Sequence, residues 1–226
     1  MQAPNTLGAR LASAVPYVTR GGRVIDVGTD HAYLPIALIR EGISSSALAC
    51  DINEGPIASA RENIAAAGLA AQIETRLTDG LHGTEDFFAD DVLIFGMGGE
   101  LIVRILSESD YVKNARVGLV LQPMSRASVL RRYLATHGFE IVGESISFED
   151  KYYQTIAARY SGEQYELTDI EAWVGKLNLR TRPELFEGFV RHEIGVFEAI
   201  LKGKSQSPNA DLGYETEMKR KLEELL

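Results

Sequence analysis

Short apolar runs recur through the first 160 residues, each closed by glycine or an acid and followed by a helical pattern. Val24–Gly28 reads as a strand, with a helix over Leu34–Ile39. Ala47–Asp51 is a second strand that ends on an acid. Pro56 stands at a helix start, Ile57–Ala67 follow, and Gly68 stops them. Gln72–Leu77 alternate as a third strand, closed by Thr78-Asp79-Gly80. Val92–Phe95 is continuously apolar, as a strand buried on both faces must be, and runs into Gly96-Met97-Gly98-Gly99 before a helix over Glu100–Leu106. Val117–Leu121 makes a fifth strand ending at Gln122-Pro123. Ser125 is the expected cap of a helix through Tyr133, stopped by His137-Gly138. Ile141–Phe148 and Tyr152–Tyr160 alternate like two antiparallel strands at a sheet edge. Five β/α units and a terminal hairpin predict a Rossmann-like α/β fold with a seven-stranded, mostly parallel sheet.

Beyond Ser161-Gly162 the pattern is helical only. Thr168-Asp169-Ile170-Glu171 has the form of a capping box. Pro183 opens a long helix with Phe186, Phe189, Val190, Phe197, Ile200 and Leu201 on one stripe, Gly203–Ala210 is a loop, and Met218, Leu222 and Leu225 line a last helix. Such a pair makes a helical hairpin or short antiparallel coiled coil. The division near residue 162 separates a 1–162 α/β domain from a 163–226 all-helical domain.

Bulk properties narrow the class. Hydrophobic residues make up 45% of the 226, enough for a real core. No run approaches the ~20 apolar residues of a membrane span. Met-Gln-Ala-Pro-Asn-Thr shows no secretory signal, and the single cysteine, Cys50, excludes an internal disulfide and a cysteine-built metal site. A cytoplasmic protein is expected, with the oligomeric state open and a monomer favoured. His31, His82, His137 and His192 have no ligand spacing, so no metal is expected. The net charge of −9 argues against indiscriminate binding to nucleic acid. Two segments nevertheless lack acids: residues 1–25, with Arg10, Arg20 and Arg23, and residues 111–139, with Lys113, Arg116, Arg126, Arg131 and Arg132. Together they could line one positive face.

The chemistry concentrates where strands end. A strand that closes on glycine and feeds a helix brings backbone N–H groups toward a ligand, and an acid at the second strand tip can take ribose hydroxyls. Gly28 stands alone, without the three glycines of a dinucleotide fingerprint. Asp26 and Asp30 beside it repel a pyrophosphate but suit an amino group or a sulfonium. S-adenosylmethionine carries both, and is favoured over NAD, FAD or ATP. Asp79 is equally readable as an adenine contact or a plain turn residue. Three glycines within Gly96–Gly99 mark backbone that passes close to something or takes positive φ.

Asp26-Val-Gly-Thr-Asp-His-Ala-Tyr-Leu-Pro35, Phe95-Gly-Met-Gly-Gly-Glu-Leu101 and Leu121-Gln-Pro-Met124 together resemble the bacterial TrmK family. Its members are class I S-adenosylmethionine-dependent tRNA methyltransferases acting on N1 of adenine 22. Leu7-Gly-Ala-Arg-Leu11 and Val15 resemble the family's N-terminal helix. The resemblance implies that Asp26, Gly28, Asp30 and His31 hold the methionine part of the cofactor. It places Asp51, with Ile52 beside it, at the ribose and Asp79-Gly80 at the adenine. Gly96, Met97 and Gly98 would face the methyl group, and Asp30, Met97 and Gly98 would be the catalytic set. Arg10, Tyr33, Gln122, Pro123, Arg126, Arg131 and Arg132 would meet the tRNA. No Asn/Asp-Pro-Pro-Tyr motif is present, which agrees with attack by a ring nitrogen and not an amino group. The competing readings are a non-catalytic module on the same fold and a small-molecule methyltransferase.

Overall fold

The computed structural model describes residues 7–207 and 211–226. Residues 1–6, on which the signal-peptide reading rests, and 208–210 of the expected loop lie outside the described residues. The chain divides into two compact units at Glu166/Leu167.

In the first unit a short helix α1 (Ala9–Ala12) and a 3-10 turn (Val15–Tyr17) precede the sheet. The order is then β1 (Gly22–Val27), α2 (Tyr33–Arg40), β2 (Ser44–Asp51), α3 (Glu54–Ala66), β3 (Ile73–Leu77) and β4 (Asp91–Gly98). It continues with α4 (Gly99–Ser107), β5 (Gly118–Ser125), α5 (Ala127–Thr136), β6 (Phe139–Phe148) and β7 (Tyr152–Tyr160). The seven strands form one sheet in the order β3-β2-β1-β4-β5-β7-β6. Neighbours from β3 to β5 run parallel, while β7 is antiparallel to both β5 and β6. The chain moves outward from β1 to β3 and then returns to β4. The crevice between the ends of β1 and β4 is therefore the topological switch point, where ligands bind in open α/β sheets.

Alternation along the central strands fills both faces. Val24, Ala47, Ala49, Leu93 and Phe95 pack into a core with residues of α2, α3 and the N-terminal segment. Their neighbours Ile25, Leu48, Val92 and Ile94 are equally buried, which explains the lack of polar alternation in the sequence.

Several boundaries differ from the pattern reading. β4 and β5 run on past the expected glycine and proline stops and stay paired as far as Gly98 opposite Ser125, through register shifts at Phe95/Met97 and Met97/Gly98. Ser125 is thus the last residue of β5 and not a cap. The chain turns at Arg126, with φ +58°, before α5 begins at Ala127. Arg131 was expected on an RNA-facing surface. It is instead fully buried on α5, with Nε donating to Glu144 Oε1 at 2.6 Å and Nη2 to Gln154 Oε1 at 2.8 Å. Helix spacing places position 131 beside buried Leu130 and Leu134, so its guanidinium needs partners in the sheet.

The second unit contains α6 (Asp169–Val174), α7 (Lys176–Thr181), α8 (Phe186–Lys204) and α9 (Gly213–Glu223). The Thr168–Glu171 capping box is formed. Pro183 lies in the turn before α8, its carbonyl accepting from the Phe186 amide at 2.7 Å. Phe186, Phe189, Val190 and Phe197 of α8 are buried, as are Met218 and Leu222 of α9. Ion pairs Lys204–Glu215 and Lys219–Glu198 tie the two long helices along their exposed sides.

Candidate active site

β1 ends at Val27, and Gly28 turns with φ +77°. The turn favours glycine for this dihedral, and the end of the Met97 side chain lies against its open face. The amides of Gly28 and Thr29 both donate to the Cys50 carbonyl at 2.8 Å. That pair of bonds locks the tips of β1 and β2 together. It also withdraws two donors the turn was expected to offer a ligand. Ala32, at φ +56°, leads into α2. A left-handed alanine is a small store of strain where the turn meets the helix.

The acids around this turn differ in kind. Asp26 is buried, and loss of hydration pushes its carboxyl up to about 6, with the charge of Asp51 adding to the rise. Thr29 pulls the other way from close by, although its buried Oγ1 makes no hydrogen bond of ordinary geometry. Asp30 stands 78% exposed, 3.4 Å from His31 Nε2. His31 stacks on Tyr33 with centroids 5.1 Å apart. At the tip of β2, Asp51 Oδ1 accepts from the Asn53 backbone at 2.8 Å and side chain at 3.2 Å, leaving Oδ2 for a ligand. Ile52 beside it is exposed. At the end of β3 both Asp79 oxygens are taken by Arg104, at 2.7 and 3.2 Å, and this guanidinium holds the Asp79 carboxyl below its usual range. Gly80 follows in a left-handed turn against Ile105.

On the β4 side, Gly96 has φ +78°. Its amide donates to Gln122 Oε1 at 3.2 Å, and the same oxygen receives Arg10 Nη1 at 3.2 Å. Arg10 also lies over the Tyr153 ring at 5.7 Å. A Cβ at Gly99 would overlap the Arg126 carbonyl oxygen, so the close approach inferred from the glycine cluster is to the chain leaving β5.

These elements enclose a cavity of about 450 Å³ at the switch point, with Asp26, Gly28, Asp30 and His31 on one wall and Arg10 and Gly96 on another. Tyr33 also lines it. Asp51, Ile52, Asp79 and Gly80 lie outside the cavity, along the neighbouring strand ends. Met97 and Gly98 back onto the Gly28 turn and Ser125. Gln122 and Pro123 are buried in the sheet, so their side chains shape the site from behind and do not offer a tRNA-binding surface. Arg126 and Arg132 are exposed. The expected single positive face is split, because Arg23 and Arg116 lie where β1 and β5 begin, at the opposite edge of the sheet from Arg10 and Arg126. Sequence reasoning missed Thr29, Phe95, Met124 and Tyr153 in the cavity. Tyr153 reaches it only because β7 inserts beside β5, a topology that no local motif carries.

The cavity suits a ligand with a cationic centre. Two aspartates face it, a buried Thr29 hydroxyl is unpartnered there, and Gly28 and Thr29 present no amide cradle for pyrophosphate. Among the described residues no group of three or more His, Cys, Asp or Glu could hold a metal ion, and no helix is long and apolar enough to cross a membrane.

Residues 7–156 match the methyltransferase domain family. A segment of 153 residues is 35% identical to the tRNA (adenine(22)-N(1))-methyltransferase of Bacillus subtilis, covering 67% of this chain and 64% of that relative. The chain thus spans just under two thirds of that protein's length. The structure superposes with a TM-score of 0.86 on a crystal structure of a candidate tRNA (m1A22) methyltransferase from Streptococcus pneumoniae, at 34% identity over 98% of this chain and 100% of that one. The same protein crystallised with S-adenosyl-L-methionine gives 0.84, at 33% identity over 96% and 99% of the chains. The B. subtilis m1A22 tRNA methyltransferase TrmK gives 0.86, at 28% identity over 98% and 99%. The chain belongs to the TrmK family of methyltransferase-domain proteins. Its fold, a mostly parallel seven-stranded sheet with a helical C-terminal unit, is that of the TrmK structures.

Proposed function

We propose that this protein transfers a methyl group from S-adenosylmethionine to N1 of adenine 22 in tRNA. The observation that carries the reading is one cavity joining the acid-lined β1 turn to Gly96, Arg10 and Tyr33, in a chain that superposes over 98% of its length on the B. subtilis m1A22 methyltransferase and on the S. pneumoniae candidate. When bound, S-adenosylmethionine supplies an electrophilic methyl group on a positively charged sulfur. Asp26, Asp30 and His31 would face its methionine part around Gly28, Asp51 Oδ2 would take the ribose hydroxyls, and Asp79-Gly80 with Ile52 would border the adenine. Gly96, Met97 and Gly98 would lie toward the methyl group.

Adenine N1 carries no proton at neutral pH, so the chain need not supply a general base. Alignment is then its main contribution, a term worth up to ~7–11 kcal/mol in favourable cases. The methylated base is a cation, and the exposed Asp30 carboxylate would stabilise that charge as it develops. N1 lies on the Watson–Crick edge, so the base must leave its stack. Tyr33 on its His31 neighbour offers a face for it. Arg10, Arg126 and Arg132 would take phosphates, and the C-terminal unit, with Arg180 and Arg191, would extend the grip. A monomer acting in the cytoplasm, where tRNA is found, completes the proposal. Incubation with methyl-labelled cofactor and bulk bacterial tRNA tests it. Label should enter tRNA, whereas folded, cofactor-binding protein that leaves tRNA unlabelled would defeat the reading.

A further inference from the structure

We propose that Gln122 is a positioning residue that couples the substrate-side arginine to the methyl-side loop through a single buried amide oxygen. The inference rests on the methyltransferase reading above. Gln122 is fully buried near the end of β5. Its Oε1 accepts from Arg10 Nη1 and from the Gly96 amide, each at 3.2 Å, while its Nε2 donates to the Pro123 carbonyl at 3.0 Å. The last bond fixes which way the amide faces, so the oxygen points to the cavity side and not the nitrogen.

Each partner depends on this oxygen. Gly96 sits in a left-handed conformation at the β4 register shift, outside the regular ladder, and its amide turns to the Gln122 side chain. Arg10 comes from α1, a helix of only four residues. Its backbone amide is held by Glu149 Oε2 at 3.0 Å and its guanidinium by the Tyr153 face. Neither contact fixes the direction of the guanidinium fork. Gln122 does, and it ties that direction to the position of Gly96. Arg10 and Gly96 stand on the same cavity wall, so an amide that holds both sets where substrate phosphate or base sits relative to the methyl-side backbone. An aliphatic residue of similar volume at 122 would take this acceptor from both donors.

The test is a double-mutant cycle on tRNA methylation by the full chain. Gln122→Met keeps the volume and removes the acceptor, and kcat should fall roughly 10–100-fold, as expected for a misaligned reactant, with cofactor affinity within about threefold because no acidic cofactor contact is touched. Gln122→Glu keeps an acceptor oxygen for Arg10 and Gly96 and should recover much of kcat. Arg10→Ala combined with Gln122→Met should lose less than the product of the two single losses, because only the Gly96 share of the Gln122 effect remains once Arg10 is gone. Multiplying losses, or Gln122→Met turning over like wild type, would overturn the coupling. Hydrogen exchange at the Gly96 amide reports without catalysis: it should be about fivefold faster in Gln122→Met, the loss of one ordinary hydrogen bond. Unchanged exchange overturns the proposal whatever the activity. Faster exchange in a protein whose wild type leaves tRNA unmethylated would keep the positioning role and defeat the substrate reading.

Discussion

Where β1, β4 and β5 begin, charged side chains are consumed in holding the chain together. Asp91 is buried and takes the Thr19 amide at 2.7 Å and the Thr19 hydroxyl at 3.1 Å, with Arg159 Nη2 at 3.8 Å. Arg159 in turn donates to the Arg116 carbonyl at 3.0 Å, and the Arg23 guanidinium lies on the Phe87 ring. At the far ends of β1 and its neighbour β2, acids are left over. Asp26 is buried with no ion-pair partner among the described residues, Asp30 stands in solvent, and Asp51 has one oxygen engaged. One edge spends its polar groups on stability, while the other keeps them for a ligand and accepts the cost in desolvation and in a left-handed Ala32. The unsatisfied acids gather at the tips of β1 and β2, whereas at the tip of β3 Arg104 takes both Asp79 oxygens.

The contrast breaks most visibly at Arg131, which belongs to the structural class despite lying in a basic segment. Arg131→Met leaves Glu144 buried without its cation and should cost about 3–5 kcal/mol. A large fall in melting temperature with the affinity for S-adenosylmethionine unchanged in the folded fraction is the expected result. A stable variant with weakened tRNA binding would move Arg131 to the other class.

The converse change is Asp51→Ala. Removing a ribose acceptor should weaken cofactor binding by about 1–3 kcal/mol, read by calorimetry, while the melting temperature of the free protein falls only a little, through the lost Asn53 contacts. Unchanged affinity would remove Asp51 from the site.

A smaller effect sharpens the comparison through pH. Burial raises Asp26 to about 6, so between its ordinary value and 6 the folded protein binds a proton that the unfolded chain has released. Asp26 thus takes stability away from the free protein as pH rises through that window, the reverse of a salt-bridged acid. A cationic ligand needs the carboxylate, so affinity should fall below pH 6, by at most about tenfold per unit. Asp26→Asn should stabilise the free protein at pH 8 and flatten the pH dependence of binding. Asp51 contributes to the rise, so Asp51→Ala should shift the fall in affinity to lower pH. An affinity that is flat from pH 5 to 8 in wild type would contradict the assignment.

Much of this organisation was legible in the residues. The central strands are buried on both faces, and their apolar runs between glycines and acids are hard to mistake. The strand-tip acids Asp26, Asp30 and Asp51 needed only the βα order to be placed. What stayed hidden depends on contacts across the sheet. Arg131 looks like its neighbour Arg132 until Glu144 and Gln154 arrive from the β6–β7 hairpin. Gln122 reads as the end of a strand and a surface contact until Arg10 and Gly96 are seen to share its oxygen. Tyr153 enters the cavity through β7, which joins the sheet beside β5 only after the chain has passed it. The close approach at Gly99 was readable as a constraint, but its partner, the Arg126 carbonyl, was not.

The central claim is that the leftover charges and the cavity serve methyl transfer to a ring nitrogen of one adenine in tRNA. Nucleoside mass spectrometry of tRNA treated with the protein and S-adenosylmethionine, digested under mild conditions and paired with reverse transcription to locate the block, tests it most directly. The account predicts 1-methyladenosine as the primary product and a single stop at adenine 22. N6-methyladenosine, a methylated guanosine, or a stop elsewhere would contradict it.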